Sequence, residues 1–305
     1  MMPETEFAAS DLVVDGGGDR AAEFERHRPL LFSLAYRMLG SIADAEDIVQ
    51  DAYLRWQRAA PAEVESPRNY LCTVTTRLCI NQLRSARARR EEYVGPWLPE
   101  PLLSPLEEDP LERMQLAESL STAFLLMLER LSETERAVFL LREVFSFDYA
   151  EVAQIVGRTA VATRQNAKRA RDKLRGGAAR FTTSREDAER LAHRFVEACA
   201  RGDMASLFDI LAEDVVSWSD GGGKAAAARK LVRGRERVAR LFVGLFRKWP
   251  DATIRFAHVN GLPGLVARTN DGRLAVISFA FANGRIEGVF AVVNPEKLRR
   301  VPPLV

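Results

Sequence analysis

Between Leu131 and Arg175, apolar residues recur at three- and four-residue steps in three blocks. This is the periodicity of helices with one buried face. Each block has a marked start. Ser132 with Glu135 fits a capping box, and so does Asp148 with Glu151. Gly157 ends the second block, and Thr159 is placed to cap the third. The pattern predicts one helix packed against a helix-turn-helix, with the short second helix and turn that the motif requires. In the last block Thr163, Ala167, Ala170 and Leu174 form a core stripe. Arg164, Lys168, Arg171 and Arg175 form another, with Gln165 and Arg169 beside it. Asp172 is the only carboxylate from Arg158 to Arg175. A basic helix in this frame fits the major groove of duplex DNA, where Arg can pair with guanine and Gln with adenine.

Upstream, residues 20–90 read as all helix. Gly40 ends a helix containing Leu30 to Leu39, and a second helix begins near Asp44. Its stripe of Ala45, Ile48, Val49, Ala52, Tyr53 and Trp56 faces a core and leaves Asp44, Asp47, Gln50 and Asp51 on the polar side. A third helix starts at Ser66, with Pro67 in the first turn, where a missing N–H costs nothing. Residues 1–19 read as a flexible tail. Residues 91–112 read as a linker, because Pro96, Pro99, Pro101, Pro105 and Pro110 exclude helix. Trp97, Leu98, Leu102 and Leu103 are out of place in a solvated tether, so the linker is expected to dock. Helix resumes near Leu111, and the helix-turn-helix unit occupies residues 113–177, ending at Gly176 and Gly177.

From residue 182 to 298 the pattern changes. Helices are expected over Ser184–Arg201, Asp203–Leu211 and Gly234–Lys248, with a strand over Asp214–Ser219. Strands rich in branched and aromatic residues follow: Thr253–Asn260, Gly264–Thr269, Arg273–Ala282 and Arg285–Val293. Asn270-Asp271-Gly272 and Asn283-Gly284 are hairpin turns. Helices followed by an antiparallel meander make an α+β unit with helices on one face of a curved sheet. The fold expected is therefore multidomain: two all-α units, then an α+β cone.

The net charge of +2 says little, but its distribution says more. Arg84, Arg87, Arg89 and Arg90 cluster, whereas acid gathers in Asp44–Asp51 and Glu100–Asp109. Such segregation points to several partner surfaces of differing sign. Cys72, Cys79 and Cys199 are odd in number and lack metal-ligand spacing, as expected for reduced thiols in a cytoplasmic protein. The first residues lack the pattern of a secretory leader, and no apolar run reaches the length of a membrane span. No metal and no cofactor are expected.

These motifs together resemble a bacterial extracytoplasmic-function sigma factor. FSLAYRMLGSIADAEDIVQDAYLRWQ and SPRNYLCTVTTRLCINQLRSARARR resemble sigma region 2, and the helix-turn-helix resembles sigma region 4. The α+β unit resembles the SnoaL-like, NTF2-type cone fused to the sigma-J type. Three segments match that subgroup: Trp97-Leu98-Pro99-Glu100-Pro101, Asp220-Gly221-Gly222-Gly223-Lys224, and Asn294-Pro295-Glu296-Lys297-Leu298. The last departs from the subgroup, which usually has Asp where Glu296 stands.

The resemblance implies RNA polymerase core and promoter DNA as partners. Asp44, Asp47, Gln50 and Asp51 would meet the polymerase. Tyr70, Thr73, Arg77, Asn81 and Arg84 would engage the −10 element, aided by the loop from Ala59 to Glu65. Core packing is the competing role for Tyr70. Arg158, Thr159, Arg164, Gln165, Lys168, Arg169 and Arg171 would bind the −35 element. Trp97, Asp220, Gly221, Gly222, Gly223, Lys224, Asn294, Pro295 and Lys297 would form a regulatory contact between the cone and the sigma units. Held closed, the free protein should bind promoter DNA poorly. A small ligand in the cone could trigger release, although the sequence specifies none. Asp220 to Lys224 lacks the frame of a phosphate loop. The cone's candidate catalytic groups are Asp214, Asp220, His193 and His258, with no His-Asp pair adjacent in sequence. Fold likeness does not transfer activity, so no enzyme is expected. A SnoaL-like enzyme carrying a DNA-binding module and a plain repressor are the alternatives. The acidic helix from Asp44 separates them, because only a sigma factor needs a polymerase surface.

Overall fold

The computed structural model describes residues 16–60, 64–104, 119–175 and 183–302. The expectations for the tail before residue 16, for the end of the linker and the helix near Leu111, and for Gly176-Gly177 lie outside the described residues. So does the centre of the Ala59–Glu65 loop.

Helix α1 spans Gly16–Leu39, so residues 16–19 of the expected tail are helical; α2 spans Ile42–Arg58 and α3 Pro67–Glu91. Helix α2 begins two residues earlier than its acidic stripe suggests, because Ser41 is the cap: its side chain accepts from the Asp44 N–H at 3.2 Å. Asp44 therefore sits in the first turn, where a negative charge suits the helix dipole. Ile42 joins the predicted stripe, and Ala45, Ile48, Val49, Ala52 and Trp56 are buried against α1 and α3.

Helix α4 spans Thr122–Leu128, and α5 spans Glu133–Phe139 and continues as a π-helical turn over Leu140–Val144. Helices α6 (Tyr149–Val156) and α7 (Ala160–Leu174) complete the helix-turn-helix. Both capping boxes form, Thr159 caps α7, and Gly157 ends α6 in the left-handed region. Thr163, Ala167, Ala170 and Leu174 are the buried face of α7, as the periodicity predicts.

The two helical units do not have separate cores. One apolar cluster runs from Phe24 on α1 through Cys79 on α3 to Leu174 on α7. Two buried arginines cross within it. Arg37 on α1 donates to the carbonyl and hydroxyl of Ser119, at 3.2 and 3.0 Å. Arg136 on α5 donates to the Met38 carbonyl at 2.6 Å.

Helices α8 (Arg185–Arg201), α9 (Met204–Ile210) and α10 (Arg235–Lys248) accompany a seven-stranded sheet. Its strands are β1 (Leu103–Ser104), β2 (Leu211–Asp220), β3 (Val232–Arg233), β4 (Thr253–Val259), β5 (Leu262–Arg268), β6 (Leu274–Ala282) and β7 (Arg285–Val292). The order is β1-β4-β5-β6-β7-β2-β3. Strands β4 to β7 form the expected antiparallel meander, but β2 runs parallel to β7. The first strand comes from the linker: Leu103 pairs with Val259, so the tether docks by covering the sheet edge. Asn283 and Gly284 both take positive φ, as does Asn260 before Gly261, the backbone a two-residue hairpin turn needs.

Alternation along the strands gives the sheet two faces. One packs on α8, α9 and α10, and its centre is filled by Phe195, Phe242, Phe279 and Phe281, each at most 2 % exposed. Phe195 meets Phe242 and Phe279 edge-on at 5.1 and 5.3 Å. The other face carries Val259, Val266, Val276, Ala280 and Phe290, covered by Leu98 and Leu103 of the linker and by Ala123 and Leu126 of α4. The sigma-like units thus lie on the sheet face turned away from the helices.

Candidate functional site

Helix α7 presents its polar side outward. Arg158, Arg164, Gln165, Lys168, Arg169 and Arg171 are exposed, and Thr159 is held as the cap. Val161, Gln165 and Lys168 form the ridge opposite the core stripe, and Val161 is 63 % exposed. The arginines are arranged around a residue that periodicity did not single out. The Tyr149 ring lies 4.8 Å from Arg142 and 5.7 Å from Arg164, and its hydroxyl lies 3.5 Å from Arg171. Glu143 holds Arg171 from the other side at 3.5 Å. Glu135 takes Lys173 at 2.7 Å and Arg169 at 3.9 Å. Burial opposes ionisation of Glu135, but bonds from Lys173 and Ser132 outweigh it and hold its carboxyl below the usual range.

On α3, Arg77, Asn81 and Arg84 are exposed, while Tyr70 and Thr73 are half-buried. Thr73 donates to the Asn69 carbonyl at 2.7 Å, and Tyr70 packs 5.9 Å from the buried Trp56. Core packing therefore accounts for most of Tyr70. The surface of α3 beside these residues is not free. Arg68 stacks 3.9 Å from the Phe147 ring, and Asn69 donates to Glu151 at 3.4 Å. A Cβ on Gly157, two residues before Thr159, would lie 3.8 Å from Arg77. The candidate −10 helix thus packs on the first helix of the helix-turn-helix unit.

On α2, Asp47, Gln50 and Asp51 are exposed, and Leu54, 44 % exposed, continues their stripe. Asp44 is half-buried and accepts from Gln82 at 3.2 Å. Arg300, beyond the last strand, reaches Glu46 on this helix at 2.5 Å.

The three segments that match the sigma-J type converge. Asp220, fully buried at the end of β2, accepts from the Tyr93 hydroxyl at 2.6 Å, the Leu98 N–H at 2.8 Å and the Lys297 ammonium at 2.7 Å. Burial, then the bond to Asp220, pushes the Tyr93 hydroxyl well above its ordinary range, so it stays a donor. Asn294 donates to Tyr93 at 2.9 Å, and its N–H donates to the Asp220 carbonyl at 2.9 Å. Lys297 also donates to the Leu98 carbonyl and sits 4.4 Å over the Trp97 ring. That ring lies on Gly40, where a Cβ would come within 2.6 Å of it. Gly222, at φ +58°, has no room for a side chain beside Asn294 and Tyr93. Gly221 and Gly223 complete the turn, with Gly223 against Val94, and Pro295 is exposed. Asp220 and Lys224 are not partners: Lys224 pairs with Glu296 at the surface, and Lys297 supplies the buried cation.

Two further residues join the units. Glu100, buried, accepts from the Ile42 N–H at 2.7 Å and so caps α2 from the linker. Asn260 donates to the Tyr36 hydroxyl at 2.6 Å and the Leu120 carbonyl at 3.1 Å, and accepts from the Leu102 N–H at 3.1 Å. One side chain of the cone thereby touches both helical units and the linker. The Asn260-Gly261 dipeptide is the local signal that could have marked it.

The candidate catalytic groups do not form a constellation. Asp214 is exposed on β2, and Asp220 is engaged by Lys297. His193 is exposed and stacks 3.7 Å from Phe256, while buried His258 contacts Arg185 at 2.9 Å. Among the described residues no three His, Cys, Asp or Glu side chains are grouped to hold a metal, and no helix is long and apolar enough to cross a membrane. The three cysteines are buried, and burial pushes the Cys72 and Cys199 thiols up to about 12.

Known proteins share this organisation. Sigma-70 region 2 matches residues 24–89, sigma-70 region 4 matches 121–174, and the SnoaL-like domain matches 192–294. The ECF RNA polymerase sigma factor SigJ of Mycobacterium tuberculosis is 36 % identical over 298 residues, covering 92 % of this chain and 94 % of that protein. The probable ECF RNA polymerase sigma factor SigI of the same organism is 35 % identical, over 91 % and 94 %. The crystal structure of Mycobacterium tuberculosis SigJ superposes with a TM-score of 0.75 at 33 % identity, covering 92 % of this chain and 98 % of that one. With that likeness along nearly its whole length, the chain belongs to the extracytoplasmic-function RNA polymerase sigma factors, with sigma-70 regions 2 and 4 followed by a SnoaL-like domain.

Proposed function

We propose that this sigma factor is held closed in its free state and must open to direct initiation. The carrying observation is the packing of α3 on the helix-turn-helix unit, where Arg68 stacks 3.9 Å from the Phe147 ring and Asn69 donates to Glu151 at 3.4 Å. The names of the −10 and −35 elements put them about 25 base pairs apart, roughly 85 Å along a duplex at 3.4 Å per base pair. A helix of 25 residues such as α3 spans only about 37 Å. Two surfaces in contact cannot occupy both elements, so regions 2 and 4 must separate on the promoter.

In the open form each surface has a role. Asp47, Gln50 and Asp51, with Asp44 at the stripe's start and Leu54 as its apolar centre, meet the polymerase core. Arg77, Asn81 and Arg84 engage the −10 element, with Thr73 and Tyr70 shaping that face. Arg164, Gln165, Lys168 and Arg169 read the −35 duplex, and Val161 meets a thymine methyl on the same ridge. Arg158 and Arg171 hold phosphate, and Tyr149 positions the arginines. The cluster of Asp220, Lys297, Asn294, Tyr93 and Trp97 is the latch. It acts within the chain, and the SnoaL-like unit serves as its docking module. A small ligand in the cone would have to displace the packed phenylalanines, and the scattered His and Asp residues supply no catalytic site. The sigma factor relatives are not enzymes, and the chemistry of transcription belongs to the polymerase.

The test adds the full chain to core polymerase on a promoter library and maps start sites. New start sites with the core, together with weak binding of the same promoters by the chain alone, are expected. Equally tight promoter binding by the free chain would overturn the closed-state reading.

A further inference from the structure

Helix α7 is not the only strongly basic segment. Residues 158–175 carry seven lysines and arginines against one carboxylate. Residues 229–248, in the SnoaL-like unit, carry eight against one, Glu236. The whole chain is balanced to +2, so this second run is as unusual as the reading helix.

Its geometry sorts the charges. The apolar positions Val238, Ala239, Phe242 and Val243 turn α10 toward the core. Arg235 is committed to the fold, donating to the Phe208 carbonyl at 2.9 Å. Arg229, Lys230, Arg233, Arg237, Arg240 and Lys248 are exposed. Within this run, Arg240 is paired with a carboxylate of the described residues, Glu236 at 2.6 Å, and that pair is itself exposed. An exposed pair holds its charges only weakly. The run also begins at a defined place. A Cβ on Gly95 would lie 3.7 Å from the Arg229 Cα, and Gly223 packs on Val94. Those linker residues directly follow α3, whose last turns carry Arg84, Arg87, Arg89 and Arg90. The basic run of the SnoaL-like unit therefore begins against the linker, a few residues after the end of the candidate −10 helix.

We infer that Lys230, Arg233, Arg237 and Arg240 form a second phosphate-binding surface for promoter DNA, which begins where the linker leaves α3. It rests on the promoter-binding role proposed above, and it gives the SnoaL-like unit a share in DNA binding besides its docking role. The contact is to the DNA backbone: point charges on an outward helix face and its approach neutralise phosphates but do not enter a groove, so they add affinity without sequence preference.

The test measures binding of the core-bound chain to its preferred promoter duplex and to a scrambled duplex of equal length, over a range of salt. The variant carries Lys230→Ala, Arg233→Ala, Arg237→Ala and Arg240→Ala. The slope of log affinity against log salt should flatten by about 0.9 for each phosphate that is no longer neutralised. It should flatten on both duplexes, with the preferred sequence unchanged. A variant with Lys in place of the three arginines should keep the wild-type slope, because backbone contacts need charge rather than a fork. An unchanged slope in the Ala variant would overturn the inference. So would a weakening that appears already in binding to core polymerase without DNA, which would make the partner protein. Failure of the promoter-binding role shows separately, as wild-type protein that selects no promoter.

Discussion

Asn in place of Asp220 tests the latch most sharply. The carboxylate is fully buried and accepts three bonds, from Tyr93, Leu98 and Lys297, at 2.6 to 2.8 Å. Lys297 is itself only 15 % exposed. Asn has one acceptor oxygen and an NH2 group, so at least one of the three donors faces another donor. The Lys297 charge is also left without its counter-ion. Removing one partner from a buried pair costs about 3–5 kcal/mol, more than the pair itself contributes. Tyr93→Phe removes the bond to the charged Asp220 and the bond from Asn294, and should cost at least about 1.5–3 kcal/mol. Lys297→Met with Asp220→Asn removes both charges, so the double variant should be more stable than the sum of the single losses implies, by about 2–3 kcal/mol. Urea unfolding of the wild type, the single variants Asp220→Asn, Lys297→Met and Tyr93→Phe, and the double variant measures these terms. Asp220→Asn should also raise promoter-directed transcription with core polymerase, because it loosens the closed form. Additive losses in the cycle, or Asp220→Asn with the stability of the wild type, would refute the latch.

Three other expectations follow from separate contacts. Gly222→Ala should destabilise the chain by at least about 1–3 kcal/mol, the cost of a left-handed non-glycine residue, before the clash with Asn294 is counted; thermal unfolding checks it. Glu100→Ala removes the linker's bond to the Ile42 N–H and should cost about 0.5–2 kcal/mol of cap energy, with weaker binding to core polymerase in a titration. Arg164→Ala should cost about 1–3 kcal/mol of discrimination at one base pair, and Val161→Ala should relax preference for one thymine; selection from a −35 library reads both, and an unchanged consensus counts against the ridge.

Much of this was legible locally. Ser132 with Glu135, Asp148 with Glu151, and Thr159 after Gly157 mark helix starts because a cap acts within four residues of itself. The buried stripe of α7 and the Asn283-Gly284 turn are likewise local. The docking of Trp97 and Leu98 followed from apolar residues in a proline-rich tether. What escaped is long-range. The cation of Asp220 is Lys297, 77 positions away, and not the nearer Lys224. Strands β1 and β3 are two residues long, too short for alternation to register. The parallel pairing of β2 with β7 joins strands far apart in the chain, which no hairpin signal reports. Glu100 lies among other linker acids, so its role as the cap of α2 is set only by the fold. Ser41 shows the opposite failure: the cap was local, but the acidic stripe beginning at Asp44 drew the helix start downstream.

The central claim is that regions 2 and 4 share one core when free and part on the promoter. The buried native thiols allow selective labelling of cysteines introduced at Glu25 on α1 and Asp172 on α7, both exposed. The label-to-label distance should take a single value in the free chain. It should lengthen by tens of ångströms in the complex with core polymerase and promoter, where the elements lie roughly 85 Å apart. The same distance in both states would contradict the account.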